Sequence, residues 1–79
     1  MNEYDILLKI FRFVRNYSTA TYTMPQVFNA LIQYLKDSEY QVEIIDEKHN
    51  NYKILQVEGQ RYKIIRWPQW SSYDVIRAA

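Results

Sequence analysis

The chain has 79 residues, 48% of them hydrophobic, with a formal net charge of +1, ten Lys and Arg against nine Asp and Glu. That length makes one domain, expected over 1–79, and the apolar fraction is too high for a disordered chain. The balanced charge, four basic and four acidic residues in 1–39 and six and five in 40–79, argues against a non-specific polyanion binder.

There is no cysteine, which excludes cysteine-ligated zinc and disulfide staples and favours a reducing, cytoplasmic setting. The single glycine, Gly59, leaves no material for a phosphate-binding glycine loop. The opening Met-Asn-Glu-Tyr-Asp is acidic, and Lys9 interrupts the apolar run behind it. That pattern does not match a secretory leader, and no run reaches the length of a membrane span.

In chain order, Glu3–Tyr17 reads as a helix. Ile6, Leu7, Ile10, Phe13, Val14 and Tyr17 recur at helical spacing, and Asp5, Lys9, Arg12 and Asn16 make the polar stripe. Tyr4, Leu8 and Phe11 widen the apolar arc beyond what one core contact needs. The basic stripe beside this arc also allows a membrane-surface reading, but a sheet further along the chain needs a cover, which favours a core helix.

Thr23 with Gln26 forms a capping-box signature, and Pro25 suits a first helical turn, so a second helix is expected from about residue 24 to 37. Val27, Phe28, Leu31, Tyr34 and Leu35 would face inward.

Residues 40–67 hold three runs rich in Val, Ile and Tyr, separated by turn signals at Lys48–Asn51 and Glu58–Gln60. This is the pattern of an antiparallel meander, with strands at about 40–46, 52–57 and 61–67. A four-residue loop would pair Asp46 with Lys53, Ile44 with Leu55 and Val42 with Val57. The inner face would then carry Tyr40, Val42, Ile44, Leu55, Val57, Tyr62 and Ile64.

Pro68 ends the third strand. Residues 73–77 suit either a short helix capped by Ser71 or a fourth strand. The strand is favoured, because it sets Asp74 beside Arg66, Ile76 beside Ile64 and Val75 beside Ile65. The expected fold is α+β, two helices packed on one face of a three- to four-stranded antiparallel sheet.

The other face should be polar, yet these registers place Ile45, Ile54, Ile65 and Val75 side by side there. Tyr52, Trp67 and Tyr73 flank them, and Glu43, Glu47, Arg61, Lys63 and Arg77 fill the rest. An aliphatic centre with an aromatic and charged rim has the anatomy of an interface. The plainer alternatives are β-branched residues serving only as strand formers, or the Trp67–Ser72 segment folding over the stripe.

No chemistry-bearing constellation stands out. His49 sits in a turn beside Asn50 and Asn51, and the acid pairs Asp37/Glu39 and Asp46/Glu47 fall at element ends. A non-enzymatic chain is expected, with no cofactor, no metal and no small-molecule substrate.

The leading functional expectation is a small protein-binding module, an adaptor or inhibitor of the size phages and mobile elements encode. Ile45, Ile54, Ile65 and Val75 would be its anchors, Tyr52, Trp67 and Trp70 its aromatic contacts, and Arg61 and Lys63 its steering charges. A homodimer through the same face is a close variant. The alternative is a single-stranded nucleic-acid binder using Trp67, Tyr52, Arg61 and Lys63.

Overall fold

The computed structural model describes residues 3–79, and the side chains from Tyr4 onward. Helix α1 spans Glu3–Val14 and helix α2 spans Met24–Asp37. Strands β1 (Val42–Asp46), β2 (Tyr52–Val57), β3 (Gln60–Trp67) and β4 (Ser72–Arg77) follow. They form one antiparallel sheet in the order β1-β2-β3-β4. The two helices lie on one face of it, α1 mainly over β4 and α2 reaching β1.

Helix α1 stops three residues short of the expected Tyr17. The Asn16 side-chain amide donates to the Arg12 carbonyl, and the Asn16 N–H turns to Phe13 instead. A side chain competing for a backbone acceptor in this way unwinds a helix end.

Helix α2 begins as its sequence predicts. The Gln26 N–H donates to Thr23 Oγ1 at 3.4 Å, and the Thr23 N–H donates to Gln26 Oε1 at 2.8 Å. The far end closes with Glu39 in the left-handed region, φ 68°. The Glu39 N–H reaches the Lys36 carbonyl and the Tyr40 N–H reaches the Leu35 carbonyl. This is the bond pattern that glycine usually completes, and here a glutamate carries the strain.

The core draws Ile6, Ile10 and Val14 from α1 and Met24, Val27, Phe28, Leu31, Ile32 and Leu35 from α2. The sheet adds Leu55, Val57, Tyr62, Ile64, Tyr73 and Val75. Between the helices, Phe13 and Tyr34 stack with ring centroids 4.6 Å apart.

The β2–β3 turn is Glu58–Gly59, both at positive φ (51° and 82°), and Val57 pairs Gln60. Two left-handed residues give a turn whose twist matches that of the strands.

Two registers differ from expectation. Val42 pairs Val57 and Ile44 pairs Leu55, but a bulge follows, so Asp46 sits across from Ile54 rather than Lys53. Lys53 is buried, 6% exposed, and its ammonium donates to the Glu47 and His49 carbonyls, closing the β1–β2 loop from inside. Ile44, expected in the core, is 49% exposed, because it lies on an edge strand and the buried inner-face residues come from β2, β3 and β4.

Strand β4 exists, but paired one residue away from expectation: Ile64 with Val75, Ile65 with Asp74, and Lys63 with Ile76. Such a slip exchanges the two faces. Val75, 6% exposed, and Tyr73, fully buried, therefore belong to the core, and Ile76 stands on the outer face.

Candidate open-face site

The helices leave the second face of the sheet uncovered. Its side chains fall into cross-strand rows: Tyr52 beside Ile65 beside Asp74, and Ile54 beside Lys63 beside Ile76. Gln56 and Arg61 form the next row, with Arg61 Nε donating to Gln56 Oε1 at 3.4 Å. Ile45 and Asp46 together oppose Ile54 at the bulge, where two residues face one.

Lys63 is thus the centre of the face, with Ile54 and Ile76 on either side and Ile65 two residues along its own strand. Its stem lies among the aliphatics, while its ammonium sits 4.7 Å from the Tyr52 ring centroid. A lysine can bury its stem this way and keep its charge available. His49 stacks on Tyr52 at 4.3 Å, and His49 Nε2 is 3.6 Å from Asp46 Oδ2. The Lys53 clamp on the His49 carbonyl holds that loop in place. Tyr52 is therefore fixed before any partner arrives, which lowers the entropy cost of using it as a contact.

At the other end, Trp67 closes β3 and contacts Trp70 on the following 3-10 turn, Pro68–Trp70, with centroids 5.2 Å apart. Trp70 is 67% exposed and does not cover the aliphatic stripe. Tyr52, Lys63, Ile65, Arg66, Trp67 and Gln69 outline a shallow recess of about 390 Å³ on this face.

Arg66 pairs Tyr73 across the β3–β4 ladder. Burial pushes the Tyr73 hydroxyl above its ordinary 10.0, with the charge and hydrogen bond of the Arg66 guanidinium opposing that shift. The same hydroxyl donates to the Tyr22 carbonyl at 2.6 Å, joining β4 to the loop between the helices.

Of the residues expected at the site, the sheet brings together Ile45, Ile54, Ile65, Tyr52, Trp67, Arg61 and Lys63, with Trp70 at the rim. Val75 is the correction: its side chain is core, and Ile76, 47% exposed, supplies the aliphatic group on that strand. Sequence reasoning passed over Ile76, Asn51, Arg66 and Gln69, and read His49 only as a turn residue. Alternation along β4 could have found Ile76, had the length of the β3–β4 loop been known.

Among the described residues, no group of three or more His, Asp or Glu is placed to hold a metal ion, and no helix is long and apolar enough to cross a membrane. The chain matches no known family model, no curated protein and no solved structure.

Proposed function

We propose that the chain is a protein-binding module, an adaptor or inhibitor with a non-catalytic role in the cytoplasm, that docks a partner on the open face of its sheet. One observation carries the reading. A small domain leaves Ile76 exposed and Ile54 and Ile65 only partly covered around a central lysine, with Tyr52 stacked on His49 beside them. A fully exposed aliphatic side chain forgoes roughly 1.5–3 kcal/mol and a half-covered one a part of that, which still counts against the thin stability margin of a domain this size. A partner that covers them recovers that term. Trp67 and Trp70 lie at the edge of the same face, and tryptophans dominate binding energy when a partner desolvates them.

The test uses Ile54→Glu. Immobilised wild-type protein should retain a nuclease-resistant protein partner that the variant loses, while the variant keeps the wild-type circular dichroism and unfolding midpoint. If the folded variant binds the partner as well as the wild type does, the open face is not the docking surface. Recovery that vanishes with nuclease would move the reading to single-stranded nucleic acid on Tyr52, Trp67, Arg61 and Lys63.

A further inference from the structure

Resting on that reading, the recess beside Trp67 says what kind of partner the face fits. It is lined by Ile65, by the aromatic Tyr52 and Trp67, and by Lys63, while Arg66 borders it with its guanidinium engaged on the Tyr73 hydroxyl. Among the described residues, no carboxylate lines it. Asp74 is across the ladder from Ile65, and its Oδ1 already accepts the Val75 N–H at 2.8 Å. Asp46, across from Ile54 on the edge strand, lies against His49.

A cavity lined by an aliphatic, two aromatics and a lysine without an acid attracts a flat apolar group next to negative charge. Its volume, about 390 Å³, is near the low end for sites that hold a whole small ligand, and it is open to one side like a seat for a side chain. We infer that the recess takes an aromatic side chain of the partner, with a neighbouring carboxylate meeting Lys63. The occupant is thus an acidic, aromatic-bearing polypeptide segment.

Two other occupants fit less well. A second copy docked face to face about a two-fold axis would bring Lys63 near its own mate, because Lys63 is central, and like charges there oppose association. A nucleic-acid strand needs cations along its whole path. Here Asp46 shares the row of Lys63, Glu43 shares the row of Arg61, and Asp74 stands beside Ile65.

Trp67 and Trp70 are the protein's two tryptophans, so its indole fluorescence reports this corner directly. The experiment titrates the full chain with a random glutamate–tyrosine copolymer. Polyglutamate, a lysine–tyrosine copolymer and oligothymidylate serve as comparisons. The expected result is a saturable change with the glutamate–tyrosine copolymer, weaker with polyglutamate and absent with the lysine copolymer. Lys63→Glu should weaken binding about tenfold or more, roughly 1.4 kcal/mol, while Lys63→Arg retains it.

Equal binding of both tyrosine copolymers, or no effect of Lys63→Glu in a folded variant, overturns the inference. Preference for oligothymidylate gives the recess to nucleic acid instead. Concentration-dependent dimerisation abolished by Ile54→Glu gives the face to a second copy. If the copolymer fails while a captured partner still depends on Ile54, the recess assignment falls and the docking face stands; if neither depends on the face, both fall.

Discussion

Tyr73→Phe isolates a single atom that ties three parts of the molecule together. The residue is fully buried, and its hydroxyl donates to the Tyr22 carbonyl at 2.6 Å and bonds Arg66. Phenylalanine keeps the ring volume and removes only these bonds. A buried acceptor left without its donor costs about 1–3 kcal/mol. Tyr22 lies in an exposed part of the loop between the helices, where water can reach the freed carbonyl, so the lower half of that range applies, about 1–2 kcal/mol. In a domain of 79 residues, each kcal/mol moves the melting temperature by roughly 4–8 °C, and the expected drop is roughly 5–15 °C.

The same hydroxyl sets a pH dependence. Burial raises its pKa in the folded state above 10.0, so the folded chain holds this proton more tightly than the unfolded chain. Its contribution is fully present below about pH 10, and it is lost as pH climbs from there through the folded-state value. Tyr73→Phe lacks this term, so the stability gap between wild type and variant should shrink as pH rises past about 10. Urea unfolding followed by circular dichroism, near neutrality and at alkaline pH, measures both effects. A neutral-pH difference below about 0.5 kcal/mol, within the usual scatter of surface changes, would refute the structural role of the hydroxyl. A gap that widens with pH would refute the reasoning about burial.

Two further outcomes concern the fold. Val75→Ser should destabilise by about 2–3 kcal/mol, since it removes a core side chain and buries a hydroxyl, whereas Ile76→Ser should stay within about 0.5–1 kcal/mol; denaturant titration of both variants decides which residue is core, and reversed costs would mean that β4 pairs one residue away. Thr23→Ala should cost about 1 kcal/mol in thermal unfolding and Thr23→Ser almost nothing, because only the hydroxyl acceptor at the start of α2 is at stake.

How much of the fold is legible in the sequence depends on the range of the interaction that fixes each feature. Periodicity is local, so Ile6, Ile10 and Val14 on one helix, and Val27, Phe28, Leu31 and Leu35 on the other, are identifiable as core from spacing alone. The capping box at Thr23 and Gln26 lies within one turn and is equally readable. The end of α2 is not, because the closing left-handed residue is Glu39 where the usual signal is glycine. The β2–β3 hairpin narrows to two turns, both giving the same faces. Alternation along these two strands therefore suffices to put Tyr62 and Ile64 on the inner face and Tyr52, Ile54, Lys63 and Ile65 on the outer one.

What the tertiary structure alone decided is register at the two edges of the sheet. At β1, the bulge at Ile45 displaces Asp46 from Lys53, and the lysine instead closes the loop that holds His49 on Tyr52. At β4, opposite charges and matched aliphatics favoured the alignment that sets Asp74 beside Arg66, and the chain adopts the one a residue away. The four-residue connection through Pro68–Trp70, with Ser71 left-handed, and the bond from Tyr73 to Tyr22 fifty-one residues earlier select the one observed. A strand repeats every two residues, so a sequence can fix which residues share a face within β4 without fixing which face that is. That last choice belongs to contacts far away in the chain, and it moved Val75 from the expected surface to the core and put Ile76 in its place.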